Sequence, residues 1–155
     1  AFDNLLGKLD LSSENIFRIF GEADPEQESI RYEEIIKKNV PLVKDFPQFD
    51  MVMLGLGEDG HTASIFPNQI NFINSDAICA VANHPSNNQK RITITGRVIN
   101  NAMNIVFIVT GEKKSKVVYD IIGDKNNSIT YPASFINPVD GKLIWILDES
   151  AARLL

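Results

Sequence analysis

Two runs of this chain set the limits on its fold. Asp50–Gly57 reads DMVMLGLG and Asn104–Gly111 reads NIVFIVTG. Both are apolar at nearly every position and both close on glycine. A strand with one face in water alternates polar and apolar residues, whereas a strand covered on both faces does not, so both runs read as buried parallel strands. Shorter candidates stand around them. Asp76–Val81 (DAICAV) is a second short strand, Arg91–Thr95 (RITIT) alternates and is β-branched as a half-buried strand is, and Lys142–Asp148 (KLIWILD) is a last strand leading into ESAARLL. Asp24-Pro25-Glu26-Gln27 reads as a helix start, with Asp24 as N-cap and Pro25 at the first helical position. Ile30, Ile35, Ile36 and Val40 give that helix an apolar face, and Pro41 stops it. Glu112–Ile122 (EKKSKVVYDII) is a further helical stretch. Strands that alternate with helices and end on Gly or Asp predict one α/β domain over residues 1–155, with a mostly parallel sheet. Asn83–Asn88 and Gly123–Ser128 read as surface loops. Ligands of such sheets sit beyond the carboxyl ends of the strands, which here are Gly55–His61 and Thr110–Lys114.

Composition narrows the partners. The 155 residues are 44% hydrophobic and 23% charged, the balance of a globular chain, and the formal net charge is −5. That charge argues against nucleic acid or an anionic membrane as partner, though a few local cations suffice for a small anion. One cysteine, Cys79, excludes an internal disulfide and a Cys-based metal cluster and fits a reducing compartment. With its apolar setting it reads as a core thiol, and Trp145 as core too. No membrane span and no signal peptide is visible, so a cytoplasmic location is expected.

The segment Met51–Pro67, MVMLGLGEDGHTASIFP, carries the chemistry. Gly55, Gly57 and Gly60 satisfy the spacing of a dinucleotide-binding loop, but Pro67 leaves no room for the long helix which that motif needs. Two readings of the residues remain. In one, this is a glycine-rich corner with Asp59 capping a short helix and His61 on the surface. In the other, His61 is a general base at the end of a buried strand, oriented by Asp59, on backbone that a substrate can approach closely. His84, in the loop before Pro85, reads as a surface histidine.

LGLGEDGHTASIFP closely resembles the GxGxDGHxASLFP signature of the 6-phosphogluconolactonase family. RITITGRVINNA (Arg91–Ala102), FIVTGEKKSKVV (Phe107–Val118), YPAS (Tyr131–Ser134) and WILDESAARLL resemble further segments of that family, and LLGKLDLSSENIFRIFGE resembles its middle. The resemblance implies a Rossmann-like sheet flanked by helices, of the sugar-phosphate isomerase/deaminase/lactonase type. It implies hydrolysis of 6-phospho-D-glucono-1,5-lactone to 6-phosphogluconate in the pentose phosphate pathway, without metal or organic cofactor. On this reading His61 is the base, with Asp59 beside it. Gly55, Gly57 and Gly60 bring backbone N–H groups to the substrate, and Lys114 matches the family's VTGxxK lysine as a phosphate anchor near the start of a helix. Arg91 either reaches the phosphate or pins the Asn83–Asn88 loop; Lys113 and Lys116 are solvated. Glucosamine-6-phosphate deaminases resemble the same loop, but aligning the two places their catalytic glutamate at Phe66. A sugar-phosphate sensor of the same fold is the non-catalytic alternative. The family's N-terminal SGGSTP-like and GDER-like segments have no counterpart here. The chain is therefore expected to be the C-terminal part of a lactonase, lacking its opening strands, with weak or no activity alone and a tendency to self-associate through exposed edges.

Overall fold

The computed structural model describes residues 2–123 and 130–155. The loop expected at Gly123–Ser128 lies, from residue 124 on, outside them. In chain order the elements are helix α1 (Pro25–Asn39), a small hairpin of β1 (Leu42–Val43) and β2 (Phe46–Pro47), and β3 (Val52–Leu54). A second hairpin of β4 (Cys79–Asn83) and β5 (Lys90–Ile94) follows, then α2 (Gly96–Asn100), β6 (Asn104–Val109), α3 (Ser115–Val118) and β7 (Lys142–Leu147).

Helix α1 begins as its sequence dictates. The Asp24 carboxylate accepts the Gln27 N–H at 3.0 Å, Pro25 occupies the first turn, and Lys37 and Lys38 close the last turn at the negative end of the dipole. Its inward face differs from the expected one. Ile36 is buried, but Ile30 is 67% exposed, and Glu28 and Ser29 are buried instead. The cause is the irregular segment before the helix. Glu28 accepts the Phe20 N–H at 2.6 Å and is bridged by the Arg31 guanidinium at 2.5 and 2.6 Å, while Arg31 also stacks over the Phe20 ring at 3.9 Å. A buried carboxylate with three such donors, two of them from Arg31, is satisfied.

The main sheet has the order β3–β6–β7, all parallel, with β6 in the centre. This is the parallel sheet expected from the two apolar runs. One face, with Val52, Leu54, Ile105, Phe107 and Val109, packs into a cluster completed by Ile65, Ile99, Val118 and Ala151. Fully burying an apolar side chain of this size contributes roughly 1.5–3 kcal/mol. Trp145 on β7 stacks on Phe107 at 4.0 Å, as a core residue would. A smaller cluster of Ile36, Ile78, Cys79 and Val98 joins α1, the β4–β5 hairpin and α2. Burial, aided by the Glu33 carboxylate, pushes the Cys79 thiol up to about 12. The β4 strand starts at Cys79 rather than at Asp76. Before it, Asp76 pairs with Arg97, and the Ala77 carbonyl is taken by the Thr95 hydroxyl at 2.7 Å, so side chains displace the ladder. The β4–β5 and β1–β2 pairs are antiparallel and lie outside the parallel sheet. No helix among the described residues is long and apolar enough to cross a membrane.

Candidate active site

Strands β3 and β6 lie side by side with Leu54 opposite Phe107, so the loops that leave them emerge at the same end of the sheet. The first carries Gly55–His61 and the second Gly111–Lys114. The Lys114 ammonium donates to the Leu56 carbonyl at 2.6 Å and ties the two loops together. Between them is a cleft of about 380 Å³, lined by Gly55, Leu56, Gly57, His61, Ala63 and Lys114 above Val52–Leu54 and Ile94. A larger apolar groove of about 640 Å³ along the N-terminal segment carries neither histidine nor lysine.

The first loop is closed by its own backbone. The Gly57 N–H donates to the His61 carbonyl at 2.8 Å, the Gly60 N–H to the Gly57 carbonyl at 3.1 Å, and the Thr62 hydroxyl to the Gly55 carbonyl at 2.9 Å. The N–H groups of Gly57 and Gly60 are thus already engaged within the loop, which removes both from the set of donors open to a substrate. Two glycines are required by contact. A Cβ on Gly57 would stand 2.1 Å from His61 Nδ1 and 2.5 Å from Asp59 Oδ1, and one on Gly60, at φ +77°, would stand 2.3 Å from the Tyr131 ring. No helix follows Gly60, so Asp59 caps a turn and not a short helix. Ala63 takes a φ of +50° and the Ser64 N–H donates to the Thr93 hydroxyl on β5 at 3.1 Å; only at Pro67 does a 3-10 helix (Pro67–Ile73) begin.

Asp59 and His61 meet. Asp59 Oδ1 accepts the His61 N–H at 3.1 Å and lies 2.6 Å from His61 Nδ1. Burial of Asp59 opposes its charge, but the His61 backbone N–H and imidazole outweigh it and hold the carboxyl below its ordinary 3.8. With Asp59 ionised, the imidazole proton sits on Nδ1 and Nε2 is left as an acceptor. The His61 ring packs on Phe66, which is fully buried, with centroids 4.8 Å apart. His84 touches the same phenyl ring at 5.1 Å, so it is half-buried against the site rather than an ordinary surface histidine.

Arg91 is not brought into this cleft. It faces the Gln89 side chain at 3.3–3.4 Å and lines a separate cavity of about 320 Å³ with Ser64, Gln89 and Lys90. Lys113 is exposed, whereas Lys116, though exposed, is paired with Asp120. Two further supports are not among the residues expected at the site. Asp148, at the end of β7, accepts the Gly111 N–H at 3.0–3.1 Å and the Ala151 N–H at 2.7 Å, which fixes the second loop. Tyr131 packs on Gly60 from far along the chain. Asp148 was detectable only as a carboxylate closing a strand, and Tyr131 only as part of YPAS. Among the described residues no group of three or more His, Cys, Asp or Glu side chains is placed to hold a metal ion.

Comparison with known proteins agrees over nearly the whole chain. Residues 1–145 match a family described as glucosamine-6-phosphate isomerases/6-phosphogluconolactonase. A 6-phosphogluconolactonase of Haemophilus influenzae is 38% identical over 151 residues, which cover 97% of this chain and 63% of that protein. The crystal structure of the devB protein superposes with a TM-score of 0.92 at 34% identity, covering 98% of this chain and 63% of the other. A 6-phosphogluconolactonase structure from Trypanosoma brucei gives 0.76 at 28% identity, over 94% of this chain and 58% of that one. The chain thus spans about three fifths of the length of the relatives it matches.

Proposed function

The chain belongs to the glucosamine-6-phosphate isomerase/6-phosphogluconolactonase family, and we propose that its cleft serves hydrolysis of 6-phospho-D-glucono-1,5-lactone to 6-phosphogluconate. The observation that carries this reading is the Asp59–His61 pair at 2.6 Å, sharing one cleft with Lys114. His61 Nε2 takes a proton from water as the water oxygen attacks the lactone carbonyl. The tetrahedral oxyanion collapses, the bond from the carbonyl carbon to the ring oxygen breaks, and His61 returns the proton to that oxygen. Asp59 holds the tautomer this requires and stabilises the imidazolium formed on the way. Lys114 spends one N–H on Leu56 and has two more for the phosphate. Gly55 and Gly57 keep the wall beside His61 free of side chains. General base catalysis by such a group is worth about 10²–10⁴ in rate. Phe66 favours the lactone over ring-opening deamination, because a buried phenyl ring beside the base can neither take nor give a proton.

The test is hydrolysis of freshly generated lactone, timed against its spontaneous opening, with His61→Ala alongside. Turnover above background, weak in this chain alone, that disappears in the variant supports the reading. Background rates in both chains, with lactone or product still binding in a titration, would leave either a sensor or a lactonase that needs the further length its relatives have. The same assay with that length supplied decides between them.

A further inference from the structure

Asp120 is a buried charge for which the reaction above has no use. It lies on the π-helical turn Tyr119–Gly123, is 2% exposed, and accepts two bonds from Lys116 Nζ at 2.7 and 2.8 Å and one from the Tyr131 hydroxyl at 3.1 Å. Burying a carboxylate is costly unless each bond is made, and an apolar side chain would fill the same space at less cost. What the arrangement accomplishes is directional: it fixes the tilt of the Tyr131 ring. That side chain lies against Gly60, so close that no Cβ fits between them. Two residues on, the Ala133 N–H donates to the Gly60 carbonyl at 3.0 Å. Gly60 is thus held on one side by a ring and on its carbonyl by a hydrogen bond, and it holds its positive φ directly before His61.

We infer that Asp120 and Tyr131 form a clamp that positions the His61 loop, with Asp120 acting on the base only through Tyr131 and Gly60. Lys116 compensates the carboxylate from the solvent side. The inference rests on His61 being the base, but its primary readout does not. The experiment compares wild type with Tyr131→Phe, Tyr131→Leu and Asp120→Asn by NMR, following exchange of the His61 Nδ1 proton held by Asp59. Tyr131→Phe keeps the ring and loses the hydroxyl, so it folds where the leucine variant could fail. The proton is expected to exchange about five- to tenfold faster in Tyr131→Phe and Asp120→Asn, the size of one net hydrogen bond. In the lactone assay kcat should fall by a similar factor with KM little changed. Variants that lose thermal stability while proton exchange stays at the wild-type rate would reduce the clamp to a structural contact and overturn it. If this chain shows no turnover, the exchange data still decide the clamp, because they do not depend on the reaction.

Discussion

Gly57 is the residue on which the candidate site is most finely balanced. Its Cα lies against both members of the Asp59–His61 pair, and a methyl group there would overlap the imidazole at 2.1 Å. The clash is with two side chains rather than with backbone, so the fold can absorb it by turning the histidine away. Gly57→Ala is therefore expected to melt near the wild type yet lose about 10²–10⁴ in kcat/KM, the share due to the base. An unchanged rate with an ordered His61 would show that the pair is not needed in this geometry. The glycines were legible in the sequence, but their reasons were not. Gly57 yields to its own loop, whereas Gly60 yields to Tyr131, a residue that no local pattern connects to it.

Among the elements, α1 carries the clearest consequence of burial. The Arg31 guanidinium, with the Phe20 N–H, holds Glu28 below its ordinary 4.5 against the opposing effect of burial. A carboxyl whose folded value is depressed stabilises the fold above its unfolded value and loses that contribution as pH falls through the folded one. Thermal midpoints measured from about pH 6 down to about pH 3 should fall below about pH 4.5 in the wild type. Glu28→Gln should start lower and fall less steeply; parallel curves would mean that Glu28 does not couple to the fold. The start and stop of α1 could be read from Asp24, Pro25 and Pro41, because capping is local. Its inward face could not, since Glu28 faces in only to meet Phe20 and Arg31.

At the scale of the whole molecule, the parallel sheet has one covered and one open face. Met53, Ile108, Ile144 and Ile146 stand on the open side at 63%, 49%, 42% and 53% exposure, although parallel sheets are ordinarily covered on both sides. An apolar patch of this kind limits solubility. Ile146→Lys should raise the protein concentration at which light scattering begins, without lowering the melting temperature; no change would place the limit elsewhere. The sequence by itself determined the parallel strands, though not that one face of their sheet stays open, and also the cap of α1 and the glycine corner with its histidine, because period, capping and backbone freedom act within a few residues. It also carried the family likeness. Only the tertiary structure decided that Lys114 ties the two loops through the Leu56 carbonyl while Arg91 lines another cavity, that His84 touches Phe66, and that Asp120 reaches Gly60 through Tyr131. Those pairings depend on strand order and on which loops leave the same end of the sheet, and no local rule of spacing encodes either.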